Sequence, residues 1–258
     1  MTSQDHFNLP SSLDLRGWWN HNYFEPSGVT LQSAAPRETS ICQKHCVLLH
    51  GWNSPSWFLN DWKDALRDLP QAANWRFWLP DFPTHRFSFV RAAQEVRRAL
   101  SAQEANWDDV ILIGYSMGGL VARQMARDGF PCRAVVTICS PNEGVLPWVP
   151  TPTIGPQSLR KSSTQLRSLN RETPGENAPL HLFAVTYRDL LGNHWHDGLV
   201  SERSALGEHL RTVAHRQTVH LEYGRQIASL VPVGPHVRGM NPTTMNPVLE
   251  TCARLFES

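Results

Sequence analysis

A serine flanked by glycines stands where the sequence predicts a sharp change from strand to helix. Residues 114–118 are Gly-Tyr-Ser-Met-Gly, between an apolar run over 110–113 and a helical pattern over 119–126. In this context a G-x-S-x-G motif is typical of a nucleophile elbow, a strained turn that exposes a serine hydroxyl at the edge of a sheet. Ser116 is therefore the candidate nucleophile. Met117 begins the helix, so its backbone N–H is a candidate donor to an oxyanion.

Strands and helices alternate on both sides of this turn. Short apolar runs that end at glycine or proline predict buried strands, and apolar residues at helical spacing predict helices. The predicted strands are 46–51, 76–83, 109–114, 133–141 and 180–187, and the predicted helices are 57–69, 89–100, 119–129 and 247–257. The alternation predicts an α/β fold with a mostly parallel sheet and helices on both faces. Such a sheet carries its chemistry at the carboxyl ends of the strands.

Four segments, in chain order, resemble motifs of the α/β-hydrolases: VLLHGW, PDFP, GYSMGGLVAR and DGLVS. Over roughly residues 45–257 the chain is similar to members of the lipase and carboxylesterase type. The resemblance implies an α/β-hydrolase fold and a Ser-His-Asp triad that cleaves esters through an acyl-enzyme. It also implies that Trp52, which follows His50 and Gly51, supplies a second N–H to the oxyanion.

The acid and the base must follow the serine, because the chain order in this fold is Ser, then Asp or Glu, then His. Asp189 and Asp197 both follow the predicted strand at 180–187. Asp197 opens the segment that resembles the acid turn of the family, so we predict Asp197 as the acid, with Asp189 as the alternative. For the base we predict His236, which precedes the final helix as the family's histidine does, with His209 as the alternative.

Three additions to the α/β-hydrolase domain are predicted. Residues 1–44 are polar and predict an irregular arm across the surface, followed by the domain over 45–258. The long separation between the predicted acid and base predicts an inserted hairpin at 218–233. A proline-rich stretch at about 141–179 is too long for an ordinary connection. It resembles the segment that covers the site in lipase-like members, so we predict a lid there.

Apolar side chains near these motifs predict an apolar pocket, although they could equally well cover the core. The lid segment has five apolar residues in an amphipathic arrangement: Val145, Leu146, Trp148, Val149 and Ile154. Three aromatic residues lie near the predicted oxyanion loop: Trp52, Trp57 and Phe58. The predicted substrate contacts are His50, Gly51, Tyr115, Trp57 and Trp148. The predicted partner is a small-molecule ester with an apolar acyl group.

Composition narrows the classes of function. A chain of 258 residues that is 41% hydrophobic and 18% charged fits one large α/β domain. The net charge of +1 gives no support to nucleic-acid or polybasic membrane binding. No apolar run reaches the ~18 residues of a membrane span. The first residues lack a basic segment followed by an apolar one, so we predict a cytoplasmic location, with a processed secreted form as the alternative.

The cysteine pattern predicts reduced thiols. Five cysteines cannot all pair within one chain. Three of them have apolar surroundings, typical of small buried residues: Cys132, Cys139 and Cys252. Cys42 and Cys46 lie near His45 and His50, but without a second pair of ligands at metal-finger spacing. We therefore predict no metal and no cofactor.

The sequence favours a serine ester hydrolase over the other functions of the same residues. An acyltransferase, a thioesterase or an amidase would use the same triad and the same acyl-enzyme. A binding protein with an inactive site is a third class, because a fold alone does not fix a function. The intact serine, aspartate and histidine candidates argue against it. Acyl chain length, the alcohol and the oligomeric state are left open.

Overall fold

The centre of the molecule is a twisted, mostly parallel sheet. The computed structural model describes residues 28–37, 44–103, 105–171, 178–223 and 234–257. Within these ranges the strands are β1 Thr30–Ala34, β2 Lys44–Leu49, β3 Trp75–Asp81, β4 Asp109–Tyr115, β5 Ala134–Ile138, β6 Leu180–Asp189, β7 Gly192–His194 and β8 His215–Glu222. Their order is β1-β3-β2-β4-β5-β6, with β7 and β8 both paired to β6. Only β1 and β7 pair antiparallel, so the predicted sheet is confirmed.

The parallel register brings the carboxyl ends of three central strands to one edge. Leu49, the last residue of β2, lies opposite Gly114 in β4. Tyr115, the last residue of β4, lies opposite Ile138, the last residue of β5. The loops that follow β2, β4 and β5 therefore begin side by side. Ser116 lies in the middle one.

Helices cover both faces of the sheet, as predicted. In chain order they are α1 Asn60–Arg67, α2 Phe89–Ser101, α3 Met117–Arg127, α4 Ile154–Ser158, α5 Thr164–Arg171, α6 Glu202–Leu206, α7 Gly234–Arg238 and α8 Asn246–Glu257. Successive strand residues point to opposite faces. Val47 and Leu49 pack with α2 and α3 on one face, whereas Cys46 and Leu48 pack with α1 and α8 on the other. The sheet therefore separates two apolar cores.

Part of the predicted N-terminal arm is a strand. Residues Thr30–Ala34 form β1, which pairs antiparallel with β3 from Thr30 opposite Asp81 to Ala34 opposite Phe77. The strand pairs with an otherwise open edge of the sheet through backbone hydrogen bonds. Its side chains can therefore be polar, and they lack the apolar pattern from which a strand is predicted. From the sequence we also expect four aromatic residues to anchor this arm, and they lie outside the described residues: Trp18, Trp19, Tyr23 and Phe24.

The predicted inserted hairpin at 218–233 is wrong in its first half. Residues His215–Glu222 form β8, which runs parallel to β6 as a full strand of the central sheet. Its side chains are half-buried or exposed in near alternation, as at an edge strand, and this pattern resembles that of a surface hairpin. Residues 224–233 lie outside the described part of the chain.

The stretch predicted as a lid contains two short helices packed onto the domain. Leu159, Leu166 and Leu169 from this stretch are buried in the core beside α3. Asn142 and Asn170 both accept hydrogen bonds from the buried Arg123 of α3. A covering function for the stretch stays a prediction. No helix in the described ranges is long and apolar enough to cross a membrane.

Candidate active site

Ser116 occupies the strained turn between β4 and α3 that its motif predicts. Its backbone angles are φ 53° and ψ −121°, a left-handed conformation that is rare for residues other than glycine. The two flanking glycines allow close packing here. A Cβ atom at Gly114 would lie 2.3 Å from the carbonyl oxygen of Gly118, and one at Gly118 would lie 2.0 Å from that of Leu49. Larger residues would push the serine away from the ends of the strands.

The structure brings the three predicted triad residues together. The Nε2 atom of His236 lies 3.0 Å from the hydroxyl oxygen of Ser116. The Nδ1 atom of the same ring lies 2.6 Å from Oδ2 of Asp197. Because a carboxylate only accepts, Nδ1 carries the proton and Nε2 is free to accept the proton of the serine. The imidazole therefore connects the hydroxyl to the carboxylate.

A tight turn fixes the carboxylate of Asp197. The backbone N–H groups of Leu199 and Val200 donate to Oδ1 at 2.9 and 2.8 Å. Gly198 adopts φ 103°, which lets the chain reverse directly after the aspartate. Asp197 is almost completely buried. Its Oδ1 is thus bonded to backbone, and Oδ2 faces the imidazole.

Tyr115 supports the backbone of His236. The histidine lies in the short helix α7, and the hydroxyl of Tyr115 donates to its carbonyl oxygen at 2.8 Å. The two ring centroids are 5.1 Å apart. Burial raises the pKa of Tyr115 well above its usual range, so the hydroxyl stays protonated and remains a donor. Tyr115 therefore helps to position His236, the predicted base.

The loop after β2 orients the peptide between Gly51 and Trp52. The carbonyl oxygen of Gly51 accepts from Nδ1 of His50 at 3.1 Å and from the hydroxyl of Ser54 at 2.9 Å. Nε2 of His50 accepts from the N–H of Phe82 at 3.1 Å, which leaves the ring proton on Nδ1. A trans peptide directs its N–H opposite to its carbonyl. Two donors to Gly51 therefore also fix the direction of the Trp52 N–H.

The predicted substrate contacts differ in their access to solvent. His50 has no exposed surface, so its side chain holds the loop and does not meet a substrate in this conformation. Gly51 and Tyr115 are also buried, beside Ser116. Two of the predicted contacts reach solvent, Trp57 partly and Trp148 with 57% of its surface. Ser116 itself is only 8% exposed, which is less than the free hydroxyl predicted from its motif.

The alternative acid and base lie in other pairs. His209 is exposed, and its Nδ1 lies 3.2 Å from a carboxylate oxygen of Glu143. Asp189 is buried, and its Oδ1 lies 2.9 Å from Nε2 of His194. Neither alternative is bonded to Ser116 in the described part of the chain.

One group of metal-type ligands occurs among the described residues, and it belongs to this site. Ligand atoms of Cys139, Asp197 and His236 lie within 4.8 Å of one another. Asp197 and His236 already bond to each other. Cys46, Cys132, Cys139 and Cys252 are free thiols, and Cys132 is half-buried where the sequence predicted burial.

Two neighbours of the site were not predicted from the sequence. Cys139, which was expected to be a small core residue, directly follows β5 and faces the acid. His85 bridges the amide oxygen of Asn53, at 3.1 Å, and the hydroxyl of Thr153, at 3.2 Å. It thereby connects the loop after β2 to the segment before α4. Position close to the carboxyl end of a predicted strand was the available signal for Cys139; His85 had none.

The sequence matches a known family over most of its length. The model of the Alpha/beta hydrolase family matches residues 46–248, well over half of the chain. The chain belongs to this family. No curated protein shows significant sequence similarity to it.

Solved structures share the fold at low sequence identity. Bacillus licheniformis lipase BlEst2 in its mature form aligns with a TM-score of 0.57 and 14% identity, over 87% of this chain and 98% of the lipase. A monoacylglycerol lipase from Paleococcus ferrophilus aligns at 0.53 and 14%, over 88% and 99%. The 2,6-dihydroxy-pseudo-oxynicotine hydrolase aligns at 0.57 and 14%, over 89% and 64%. At these identities the similarity establishes the architecture alone.

Proposed function

We propose that the protein is a serine hydrolase that cleaves carboxylic esters through an acyl-enzyme. The observation that carries the proposal is the position of the His236 ring, 3.0 Å from the Ser116 hydroxyl and 2.6 Å from the Asp197 carboxylate. A serine hydroxyl is a weak nucleophile until a base accepts its proton. The family and the lipases among its structural neighbours support the same choice of reaction.

The first half of the reaction acylates the serine. Oγ of Ser116 attacks the ester carbonyl while its proton passes to Nε2 of His236. The carboxylate of Asp197 stabilises the imidazolium that forms. His236 then donates the proton to the leaving alkoxide, the ester C–O bond breaks, and the alcohol departs.

The second half hydrolyses the acyl-enzyme. His236 takes a proton from a water molecule, whose oxygen attacks the acyl carbonyl. The bond to Oγ of Ser116 then breaks, the serine regains its proton, and the acid leaves. In both halves the N–H groups of Met117 and Trp52 stabilise the tetrahedral oxyanion, the first as the start of α3 and the second through its fixed peptide.

An apolar acyl group is the substrate feature that the surroundings favour. Trp57 and Trp148 offer exposed aromatic surface. The described part of the stretch over 141–179 also lines a cavity of about 720 Å³, but this cavity includes none of the triad residues in its lining, so it does not bear on the acyl group. It combines Leu146 and Val149 with charged side chains: Glu143, Arg160, Lys161 and Arg203. Since Ser116 is only 8% exposed, we propose that this stretch covers the site and moves when substrate binds.

Fluorophosphonate labelling tests the proposed function most directly. The reagent forms a covalent bond only with an activated serine, so wild type should be labelled at Ser116 and Ser116→Ala should not. Ser116→Ala should also lose turnover of p-nitrophenyl esters by at least about 10⁴-fold. The matched control is Ser54→Ala, which removes a buried hydroxyl 2.9 Å from the Gly51 carbonyl and leaves the triad intact. It should be labelled, more slowly than wild type. Absence of labelling in folded wild type contradicts the proposal and supports a binding protein.

A graded ester series separates the reactions that share this triad. We expect turnover to rise with acyl chain length from acetate to medium chains, as an apolar pocket requires. Faster turnover of a matched thioester or anilide would identify a thioesterase or an amidase. Product that accumulates only with an added alcohol acceptor would identify an acyltransferase.

A further inference from the structure

Cys139 adopts a backbone conformation that glycine would adopt without strain. It directly follows β5, is fully buried, and has φ 52°. Its N–H donates to the carbonyl oxygen of Phe183 in β6 at 2.9 Å, so the chain leaves the sheet only after this residue. A side chain at such a position carries an energetic cost that glycine does not have. A function of the Cys139 side chain would explain why this position is not glycine.

The sulfur of Cys139 lies against the acid of the triad. Sγ, a carboxylate oxygen of Asp197 and a ring nitrogen of His236 lie within 4.8 Å of one another. The side chain of Cys139 is therefore directed at the carboxylate from the end of β5.

The thiol of Cys139 keeps its proton beside the carboxylate. Burial raises the pKa of Cys139 well above its usual range, and the negative charge of Asp197 raises it further. A thiol that keeps its proton is neither a nucleophile nor a metal ligand, because both functions need the thiolate. A carboxylate has no proton to give, so of these two groups only the S–H can donate.

We propose that Cys139 is a positioning residue: its thiol donates to Asp197 and so holds the carboxylate in the orientation that His236 needs. The proposal rests on the proposed function, since it concerns the same triad. The N–H groups of Leu199 and Val200 already occupy Oδ1. The thiol adds a donor from a different element, the end of β5, so that the carboxylate is held by two separate parts of the sheet edge.

Loss of this donor should affect the rate of the chemical step and leave substrate binding unchanged. Cys139 does not reach the space above Ser116, because it has no exposed surface. Without the thiol the carboxylate can rotate, and the imidazole spends less time aligned with the hydroxyl. A carboxylate with one donor fewer also attracts the imidazole proton more strongly. We therefore expect kcat to fall, KM to stay constant, and the acid limb of the kcat/KM profile to move to higher pH.

Three substitutions separate the thiol from the backbone strain. Cys139→Ser keeps a donor, Cys139→Ala removes the donor and keeps the strain, and Cys139→Gly removes the donor and relieves the strain. Relative to wild type, kcat on a p-nitrophenyl ester should fall about 5- to 10-fold in the Ala and Gly variants and by less than about 2-fold in the Ser variant. The acid limb in the Ala and Gly variants should shift upward by about half a pH unit.

Several outcomes of this series overturn the proposal. A wild-type kcat in Cys139→Ala means that the thiol is not used. A wild-type kcat in Cys139→Gly means that strain, not the donor, explains any loss in the Ala variant. Equal losses in the Ser and Ala variants assign the residue to packing. Urea denaturation of each variant shows whether it is folded. If Cys139→Ala does not fold, Cys139→Gly, which has no backbone strain, is compared with Cys139→Ser instead.

A spectroscopic readout keeps this proposal separate from the proposed function. The infrared S–H band of Cys139 is identified as the band lost in Cys139→Ser. If the thiol donates to the carboxylate, Asp197→Asn should move that band to higher frequency, because an amide accepts more weakly. An unmoved band overturns the positioning proposal even in an active enzyme. Absence of fluorophosphonate labelling overturns the proposed function, whereas the band still reports the hydrogen bond.

Discussion

Two imidazole–carboxylate pairs follow β6 and resemble each other closely. His236 pairs with Asp197 at 2.6 Å, and His194 pairs with Asp189 at 2.9 Å. Both aspartates are buried, and each accepts the backbone N–H two residues further along the chain at 2.9 Å. A tyrosine ring lies beside each histidine. By local geometry alone, either pair could hold a base.

The pairs differ at the second nitrogen of the imidazole. Nε2 of His236 meets the Ser116 hydroxyl, whereas His194 uses Nε2 for Asp189 and, among the described residues, has no hydroxyl bonded to Nδ1. His194 instead stacks on Tyr187, with ring centroids 4.3 Å apart and an interplanar angle of 12°. A buried carboxylate beside histidine is therefore not sufficient for a triad. We expect the turn that positions Ser116 to decide which of the two pairs can act on a nucleophile.

The largest expected difference lies between the two histidines. His236→Ala removes the one imidazole that contacts Ser116 among the described residues, and it should reduce kcat on a p-nitrophenyl ester by on the order of 10⁶-fold. His194→Ala, the matched control, should stay within about 3-fold of wild type, because it loses a pair that makes no hydrogen bond to Ser116 in the described part of the chain. Fluorophosphonate labelling rates should follow the same ranking. Equal losses in the two variants would show that the second pair takes part in the chemistry.

Substitution of the two aspartates should change kcat by factors that differ less than those of the two histidines. Asp197→Asn keeps the shape of the side chain but removes the charge that stabilises the imidazolium, so kcat should fall by about 10⁴-fold. Asp189→Asn should keep its kcat and lose stability instead, because Asp189 is buried and holds the start of the β6–β7 turn. Urea denaturation alongside the ester assay distinguishes the two effects. A large fall in kcat for Asp189→Asn in a fully folded sample would refute the assignment of the acid.

Much of the fold followed from local pattern, because buried strands and amphipathic helices leave clear signals. The apolar run before Ser116 and the glycines around it predicted both the strand and the turn. The edges of the sheet were harder. Strands β1 and β8 are fixed by backbone pairing with β3 and β6, so their side chains need not be apolar and their sequences resemble loops.

The site followed from the sequence only where the sequence carries a motif. Asp197 and His236 were selected through their resemblance to family positions, and their approach to Ser116 depends on contacts between distant elements. Cys139 shows what pattern could not supply. Its apolar neighbours predicted an ordinary core residue, and only the register of β5 with β6 turns its sulfur towards the acid.

The smallest expected difference lies between the two tyrosines. Tyr115→Phe removes the donor to the His236 carbonyl, so the free energy of unfolding at neutral pH should fall by about 1 kcal/mol. Tyr187→Phe keeps the ring that stacks on His194, so it should lower the free energy of unfolding by less at the same pH. The measurement is urea denaturation of both variants and wild type. Equal costs would mean that the hydroxyl of Tyr115 adds nothing to the position of the base.

Alkaline pH should reverse the effect of Tyr187→Phe. Burial, helped by the charge of Asp189, raises the pKa of Tyr187 to about 12. A free tyrosine titrates near pH 10. From about pH 10 upward the unfolded chain therefore loses a proton that the folded chain still holds, and stability falls as pH rises towards 12. Phenylalanine has no such proton, so Tyr187→Phe should lose less stability than wild type between about pH 10 and about pH 12. An identical loss of stability in the two proteins would show that the Tyr187 hydroxyl is not shielded from water. It would also mean that the His194–Asp189 pair is more accessible to solvent than the His236–Asp197 pair.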